Sequence, residues 1–431
     1  MKKYILFLLL VPGILAAQAL PVTEGAAEPA DTLTLEQCIQ TALKYNPEIR
    51  VSEGGLESAQ SNLKLTRSVL FPQISGTAGV TRNGGTFLLG NIVRSGSFDS
   101  YTAGLQAQQL IFDFGKTYTR LSASSDLVRA SGQDLRATRE DIIVNTYVAY
   151  YSYLAAVRVR EVDTETVLQA EDHLHQAQAF YRAGTVPQYD VVNAEVTVAN
   201  ANVNLIQADN NIKLARIQLE NVIGRKLPDS FALRDILDVA HVDISMEAAM
   251  ETAINSRPEL LASQAQVQAN KALLTSAWTA NLPNISASGS YNWRGLAPTP
   301  LYSGWNIGVT LSLPIFQGFA LDAGIDQAKA NLKSAEASND LVMQTLYLDV
   351  QQQEFALQEA TQRIQASRKL VQQAEEALRL AVGEYNSGTG SALQTTDAQV
   401  ALANARITYI QSLYDYNVSY AQLERAMGVI K

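Results

Sequence analysis

FYRAGTVPQYDVVNAEVTVANANV, residues Phe180 to Val203, has a second copy in the chain: Glu384 to Ile407 reads EYNSGTGSALQTTDAQVALANARI. Offset by 204 positions, Tyr181 meets Tyr385, Gly184 meets Gly388, Thr185 meets Thr389, and Ala199-Asn200-Ala201 meets Ala403-Asn404-Ala405. In each copy a long helical pattern ends at an aromatic residue, pauses at Gly-Thr and resumes as another helical pattern. Two antiparallel helices joined by a tight turn read this way. Residues 184–188 and 388–391 are therefore the expected tips of two helical hairpins.

The repetition runs well beyond the tips. At an offset of 211, Asn46-Pro47-Glu48 meets Arg257-Pro258-Glu259, and Phe71-Pro72-Gln73-Ile74 meets Leu282-Pro283-Asn284-Ile285. At 204, Ile111-Phe112 meets Ile315-Phe316, and Leu219-Glu220 through Gly224 meets Leu423-Glu424 through Gly428. A period of about 200 residues is too long for a solenoid unit, so it marks a duplicated subdomain. The expected organisation is a first repeat over 20–224 with a β-hairpin at about 73–111, a linker over 225–244 holding Leu227-Pro228-Asp229-Ser230 and His241, and a second repeat over 245–431 with a β-hairpin at about 284–314.

Residues 1–19 carry Lys2 and Lys3, an apolar run from Tyr4 to Ala17 and then Ala17-Gln18-Ala19, the three regions of a secretory signal peptide, with a mature chain expected from near Leu20. A membrane anchor is the alternative, although the run is short against the roughly 20 residues of a bilayer span. Cys38 is the sole cysteine, so no internal disulfide is available, and it does not follow the leader as an acylated cysteine would. It is expected as a small buried hydrophobe. The net charge of −9, without any block of like charge, lacks the basic stripe that nucleic acid requires.

Thr34 is expected to open a short helix through Tyr45, and Pro47 to sit in the first turn of a second helix reaching about Leu70, with Gly54-Gly55 interrupting it. From Ile74 the period becomes two: Ile74, Gly76, Ala78 and Val80 alternate with Ser75, Thr77, Gly79 and Thr81. A loop over Asn83 to Ser97, containing Gly84-Gly85, is expected before Tyr101, Ala103, Leu105 and Ala107 resume the alternation. The second copy is clearer. Ile285, Ala287, Gly289, Tyr291 and Trp293, and then Trp305, Ile307, Val309, Leu311 and Leu313, form an apolar face opposite small polar residues. A half-buried soluble hairpin would carry Lys and Glu on that polar face; an almost uncharged one with strands of about 9 to 11 residues suits a membrane barrel. Tyr291, Trp293 and Trp305 are then the expected aromatic girdle.

Each hairpin is followed by an uninterrupted helical pattern, Gly115 to Ala183 and Phe319 to Ser387. At about 1.5 Å per residue each spans roughly 100 Å. The returning helix Gln188 to Ile223 (about 54 Å) and the helix Glu48 to Leu70 (about 35 Å) together nearly match that length and are expected to stack end to end beside it. The fold class is mainly α with a membrane β-barrel contribution. Four strands per chain cannot close a barrel, and an open sheet edge is forbidden in lipid, so the chain must oligomerise: a dimer supplies about eight strands and a filled interior, a trimer about twelve and room for a pore.

In these features the sequence resembles the TolC-like outer-membrane efflux protein family. The residues that carry the resemblance are the two helix breaks, Phe71-Pro72-Gln73-Ile74 and Leu282-Pro283-Asn284-Ile285 entering the hairpins, Leu313-Pro314-Ile315-Phe316-Gln317-Gly318 leaving the second, and Tyr-Arg-Ala-Gly-Thr and Tyr-Asn-Ser-Gly-Thr at the tips, in order from about Leu35 to Gly428. The resemblance implies a homotrimeric channel with its barrel in outer-membrane lipid and a helical tunnel, an α-barrel, in the periplasm. It implies docking of the tips (Arg182, Gly184, Thr185, Gly388, Thr389) on a periplasmic adaptor joined to an inner-membrane transporter, and export of small molecules. It also implies a periplasmic gate at Asp190, Asn193, Tyr385, Gln394 and Asp397. There Asp397 holds an acidic position, Gln394 replaces a second acid one turn earlier, Asp190 is a candidate acceptor for the Tyr385 hydroxyl, and Gly390 stands where the family can carry an arginine. Asp190 and Asp397 can equally be solvated carboxylates near helix starts.

No nucleophile-base-orienter set, phosphate loop or cofactor motif is present, so neither an enzyme nor a cofactor is expected. His173 and His175 lie about 200° apart around a helix, cannot share a metal, and are expected as exposed polar residues. Two other functions remain open: a channel of the same type for type I protein secretion, and a secreted structural coiled coil with no membrane role.

Overall fold

The structure, a computed structural model, describes residues 32–89, 92–228, 230–238 and 245–431. The expected signal peptide over 1–19, the mature start near Leu20, and Asp229 and His241 of the linker lie outside the described residues. The first copy runs β1 (Thr32–Leu33), α1 (Leu35–Tyr45), α2 (Pro47–Ser68), β2 (Gln73–Leu89), β3 (Ile92–Phe112), α3 (Lys116–Arg182) and α4 (Gln188–Ile223). After β4 (Ala232–Leu233), which pairs in parallel with β1, the second runs α5 (Met246–Ser256), α6 (Pro258–Thr279), β5 (Asn284–Gly295), β6 (Tyr302–Ser312), α7 (Ala320–Asn386) and α8 (Ala392–Met427).

Helices α3 and α7 have 67 residues each, about 100 Å at the α-helical rise. Both α2 and α4 lie along α3, whereas α6 and α8 lie between α3 and α7. The helical layer therefore reads α2/α4, α3, α6/α8, α7, with two stacked pairs and two continuous rods. The stacking depends on glycine. Gly224 ends α4 at φ +72°, and a Cβ there would fall 2.8 Å from the Tyr45 carbonyl oxygen at the α1–α2 break; Gly428 ends α8 at φ +69°, and its Cβ would fall 2.7 Å from Arg257 Cα. Each returning helix thus ends flush against the backbone of the next.

The polar filling of these junctions differs. At the first, Asn46 accepts from the Glu48 amide and donates to the Val222 carbonyl at 2.9 Å. At the second, the half-buried Arg425 binds Glu259, Asp141 (2.8 Å) and Glu140 (3.4 Å), while Arg136 pairs with Glu140 (2.9 Å) and donates to the Gly428 carbonyl (2.7 Å). Arg257 adds an ion pair with Asp349 at 2.8 Å.

The largest apolar core lies at mid-length, where α1, α5 and the β4 segment pack on the rods; Cys38 is buried in it, and fully buried Tyr150 donates its hydroxyl to the Arg234 carbonyl at 2.6 Å. Toward the tips the core thins to alanine. Ala194, Ala201, Ala208 and Ala215 of α4 are buried at seven-residue intervals, and Val350, Leu357 and Ile364 of α7 repeat the same spacing. A strict seven-residue stripe draws helices into left-handed coils, and alanine lets their backbones approach closely.

At the other end the four-stranded antiparallel sheet has the order β2-β3-β5-β6. The loop expected over Asn83 to Ser97 is instead ladder: pairing continues through Gly84↔Ser97 and Thr86↔Ser95 to Leu89↔Ile92. Each added rung satisfies backbone groups, and side chains reinforce them, Thr86 with Ser95 at 2.9 Å and Arg82 facing Asp99. Gly54-Gly55 does not interrupt α2, which runs unbroken from Pro47 to Ser68. Both glycines face open space, and flanking helix formers outweigh their cost of about 1 kcal/mol each.

Candidate functional site

The two tips are built on one turn. Gly184 (φ +75°) and Gly388 (φ +76°) turn the chain, and the next threonine closes it: the Thr185 amide donates to the Phe180 carbonyl, the Thr389 amide to the Glu384 carbonyl, both at 3.0 Å. Each threonine hydroxyl donates to the same carbonyl, at 2.9 and 3.2 Å. Arg182, Gly184, Thr185, Gly388 and Thr389 are all exposed at this end of the molecule.

Beyond the turn the copies part. α4 starts at Pro187, which supplies no side-chain cap, and carries Asp190 in its first turn. α8 starts at Ser391, whose hydroxyl accepts from the Gln394 amide (3.2 Å) while the Gln394 side chain accepts from the Ser391 amide (3.0 Å). This capping box turns Gln394 back onto the helix end. Its sequence signal, Ser391-Ala392-Leu393-Gln394, is visible once the helix start is known. Asp397 is exposed and makes no ion pair among the described residues. Asn193 is half-buried one turn after Asp190.

Tyr385 is 3% exposed, with its ring 5.5 Å from Phe180 and 5.1 Å from His173. It continues the seven-residue stripe of α7, which explains its burial in the seam between the hairpins. The expected bond to Asp190 is not formed: the Tyr385 hydroxyl is buried without a hydrogen-bond partner, because packing holds the ring among aromatics. Burial, and then the Asp190 charge, push the Tyr385 pKa up. His173, expected to be exposed, is buried; it lies on the stripe of Val167, Ala170 and Ala177, while His175 on the opposite side is exposed as expected. That stripe was a signal available in the sequence.

Gly390 packs so closely that a Cβ would fall 2.9 Å from the Tyr385 nitrogen and from Glu384 Cβ. No arginine can stand there without moving the Tyr385 backbone. The links across the seam are few. Gln176 donates to Asn386, the Gln399 amide donates to the Gln169 carbonyl at 3.3 Å, and Arg406 bridges Glu165 (2.5 Å) and Glu375 (3.2 Å) farther from the tip. Among the described residues no cluster of His, Cys, Asp and Glu is arranged to hold a metal.

Tyr291, Trp293 and Trp305 gather at the far end, on the apolar face of the sheet. Tyr291 pairs with Trp305 across β5 and β6, and its ring meets that of Trp293 at 4.7 Å. Trp305 is 73% exposed, and Ile307, Val309 and Leu311 continue its exposed apolar row.

The family model described as outer membrane efflux protein matches residues 38–225 and 249–429, one match per copy. The probable efflux pump outer membrane protein TtgC of Pseudomonas putida is 25% identical over 401 residues, covering 91% of this chain and 82% of its own length. The outer membrane protein TolC of Escherichia coli is 25% identical over 422 residues, covering 94% and 84%. In structure, the CmeC outer membrane channel of Campylobacter jejuni superposes with a TM-score of 0.83 over 97% of this chain and 94% of its own, at 20% identity. The duplicated rods, the sheet at one end and the paired tips at the other are thus a shared architecture, and the chain belongs to the outer membrane efflux protein family.

Proposed function

We propose that three copies of this chain form a conduit, a barrel of about twelve strands (four from each) in the outer membrane continued by a helical tunnel in the periplasm, through which an efflux assembly exports small molecules. The observation that carries this reading is that both layers end in open edges of matching kind. The sheet stops at β2 on one side and β6 on the other. The helical layer stops at α4, where Val196, Val203 and Ile217 are exposed on one seven-residue stripe, and at α7, where Leu341, Leu348 and Phe355 are exposed on another. Unpaired strand edges are forbidden in lipid, and apolar coil stripes are costly in water. A head-to-tail ring joining β6 to β2 and α7 to α4 removes both at once.

In this reading residues 1–19 direct export and are removed, the two repeats (20–224 and 245–431) flank the 225–244 linker, and Tyr291, Trp293 and Trp305 are the membrane girdle. The tips Arg182, Gly184, Thr185, Gly388 and Thr389 receive a periplasmic adaptor, itself joined to an inner-membrane transporter. Asp190, Asn193, Tyr385, Gln394 and Asp397 surround the entrance, with three Asp397 carboxylates attracting cations. The test combines native mass with single-channel conductance in planar bilayers. A trimer with cation-selective conductance, and weaker cation preference in Asp397→Ala, is expected. A monomer that never inserts returns the rods to a structural coiled coil.

A further inference from the structure

Where the two hairpins meet near their tips, four polar atoms are buried without a partner: His173 Nε2, Tyr385 OH, Thr396 Oγ1 and Gln399 Oε1. His173 and Gln399 line, together with Asp172, Gln176, Val382 and Thr395, an open crevice of about 540 Å³ among α3, α7 and α8. An orphaned imidazole nitrogen in a seam held by few, mostly neutral links is not needed for coil packing, since every neighbouring buried position of its stripe is Ala or Val.

We propose that His173 is a proton-operated latch: its protonation parts the seam between the hairpins and favours an open entrance. This rests on the channel reading above and supplies its regulation. The groups facing His173 set the direction. From α3 it meets Asp172; from α4, Asp190; from α7, the ring of Tyr385; from α8, among the described residues that line the crevice, the neutral Thr395 and Gln399. Burial makes the imidazole harder to protonate than usual, and the Asp190 charge offsets part of that effect. The sign follows by linkage. A histidine whose pKa is lowered in the closed seam leaves the seam fully stable above the ordinary value of about 6.5, and its protonation destabilises closure as pH falls below that. Once the seam parts, Asp172 and Asp190 stand ready to solvate the imidazolium. Neutral hydrogen bonds such as Gln176 to Asn386 contribute little net, whereas each unit of pKa difference biases the equilibrium about tenfold.

The test is single-channel conductance of the purified trimer while the tip side is perfused from about pH 7.5 to about pH 5.5. Conductance is expected to rise about three- to tenfold, to stay flat in His173→Gln, and to rise as in the wild type in His175→Gln, on the exposed opposite side of the same helix. The pair Gln176→Cys with Asn386→Cys, joined by mild oxidation across the same seam, is expected to abolish the acid response, and reduction to restore it. An acid response unchanged in His173→Gln, or surviving the disulfide, overturns the latch and leaves the channel reading standing. A protein without trimer or conductance at any pH overturns both. Native mass on each variant confirms assembly, and the disulfide pair carries the test if His173→Gln does not assemble.

Discussion

At the first tip Gly184 and Thr185 close on the Phe180 carbonyl and the chain leaves through Pro187 into a helix start with no side-chain cap; at the second the same turn leaves through Gly390 into the Ser391–Gln394 capping box. The junctions behind them repeat the contrast: one glycine-ended abutment in each copy, filled by a single amide at Asn46 and by a charge network at Arg425. Duplication has kept the backbone devices and released the polar groups around them. In the second copy the tip is fixed closely enough to hold Tyr385 in the seam, while in the first the helix start is left carrying Asp190.

The contrast breaks most severely at the junctions. Arg425→Met should lower stability by about 3 kcal/mol, because it removes the cation shared by Glu259, Asp141 and Glu140 and leaves Glu140 only Arg136 and Glu259 only Arg257, whereas Asn46→Ala should cost about 1 to 2 kcal/mol. Chemical denaturation of both variants measures the ratio. Its pH dependence identifies the cause. Burial pushes the Glu259 pKa up, but its hydrogen bond to Arg425 and the guanidinium charge outweigh this and hold it below the usual carboxylate value. A lowered carboxylate pKa contributes stability above the unfolded value of about 4.3 and loses it as pH falls through the folded value. The wild type should therefore lose stability more steeply than Arg425→Met below about pH 4.

At the tips, Gly390→Ala should cost about 1 to 3 kcal/mol through its clash with Glu384 and Tyr385, and should raise leak conductance by dislodging Tyr385. Gly184→Ala faces open space and should cost only the left-handed backbone penalty, about 1 kcal/mol, without leak. Next in size is Ser391→Ala, which removes the capping box and should cost about 1 kcal/mol, seen as faster amide exchange over the first turn of α8. Pro187→Ala removes no cap and should leave the start of α4 unchanged.

These contrasts also explain what the sequence made legible. Helix ends such as Gln188 and Ile223 were readable because proline and glycine act locally, and the stacking of the returning helices because the lengths they delimit add up to the rod beside them. The extension of β2 and β3 through Gly84-Gly85 was not, because once one rung pairs the next depends on a partner strand rather than on its own residues. Continuous α2 across Gly54-Gly55 has a local cause instead, since the flanking helix formers outweigh the two glycines. At the tip, the burial of His173 was marked by its stripe with Val167, Ala170 and Ala177, and the turning back of Gln394 by Ser391-Ala392-Leu393-Gln394, but which groups face His173 across the seam depends on how two hairpins meet. The family resemblance offered Asp190 as an acceptor for Tyr385, but whether a hydroxyl reaches a carboxylate is set by side-chain packing.

The smallest expected effect is therefore the most discriminating. If a Tyr385–Asp190 hydrogen bond held the entrance, Tyr385→Phe would open it. In the structure the hydroxyl is buried and unpartnered, and the ring is held by Phe180 and His173. Removing an unsatisfied buried hydroxyl while keeping the ring should leave stability unchanged or raise it by up to about 1 kcal/mol. Tyr385→Phe should thus conduct like the wild type at neutral pH, while Tyr385→Ala, which empties the seam, should leak. Equal leak in both variants would place the closure in the hydroxyl and erase the distinction between a packed second tip and a charged first one.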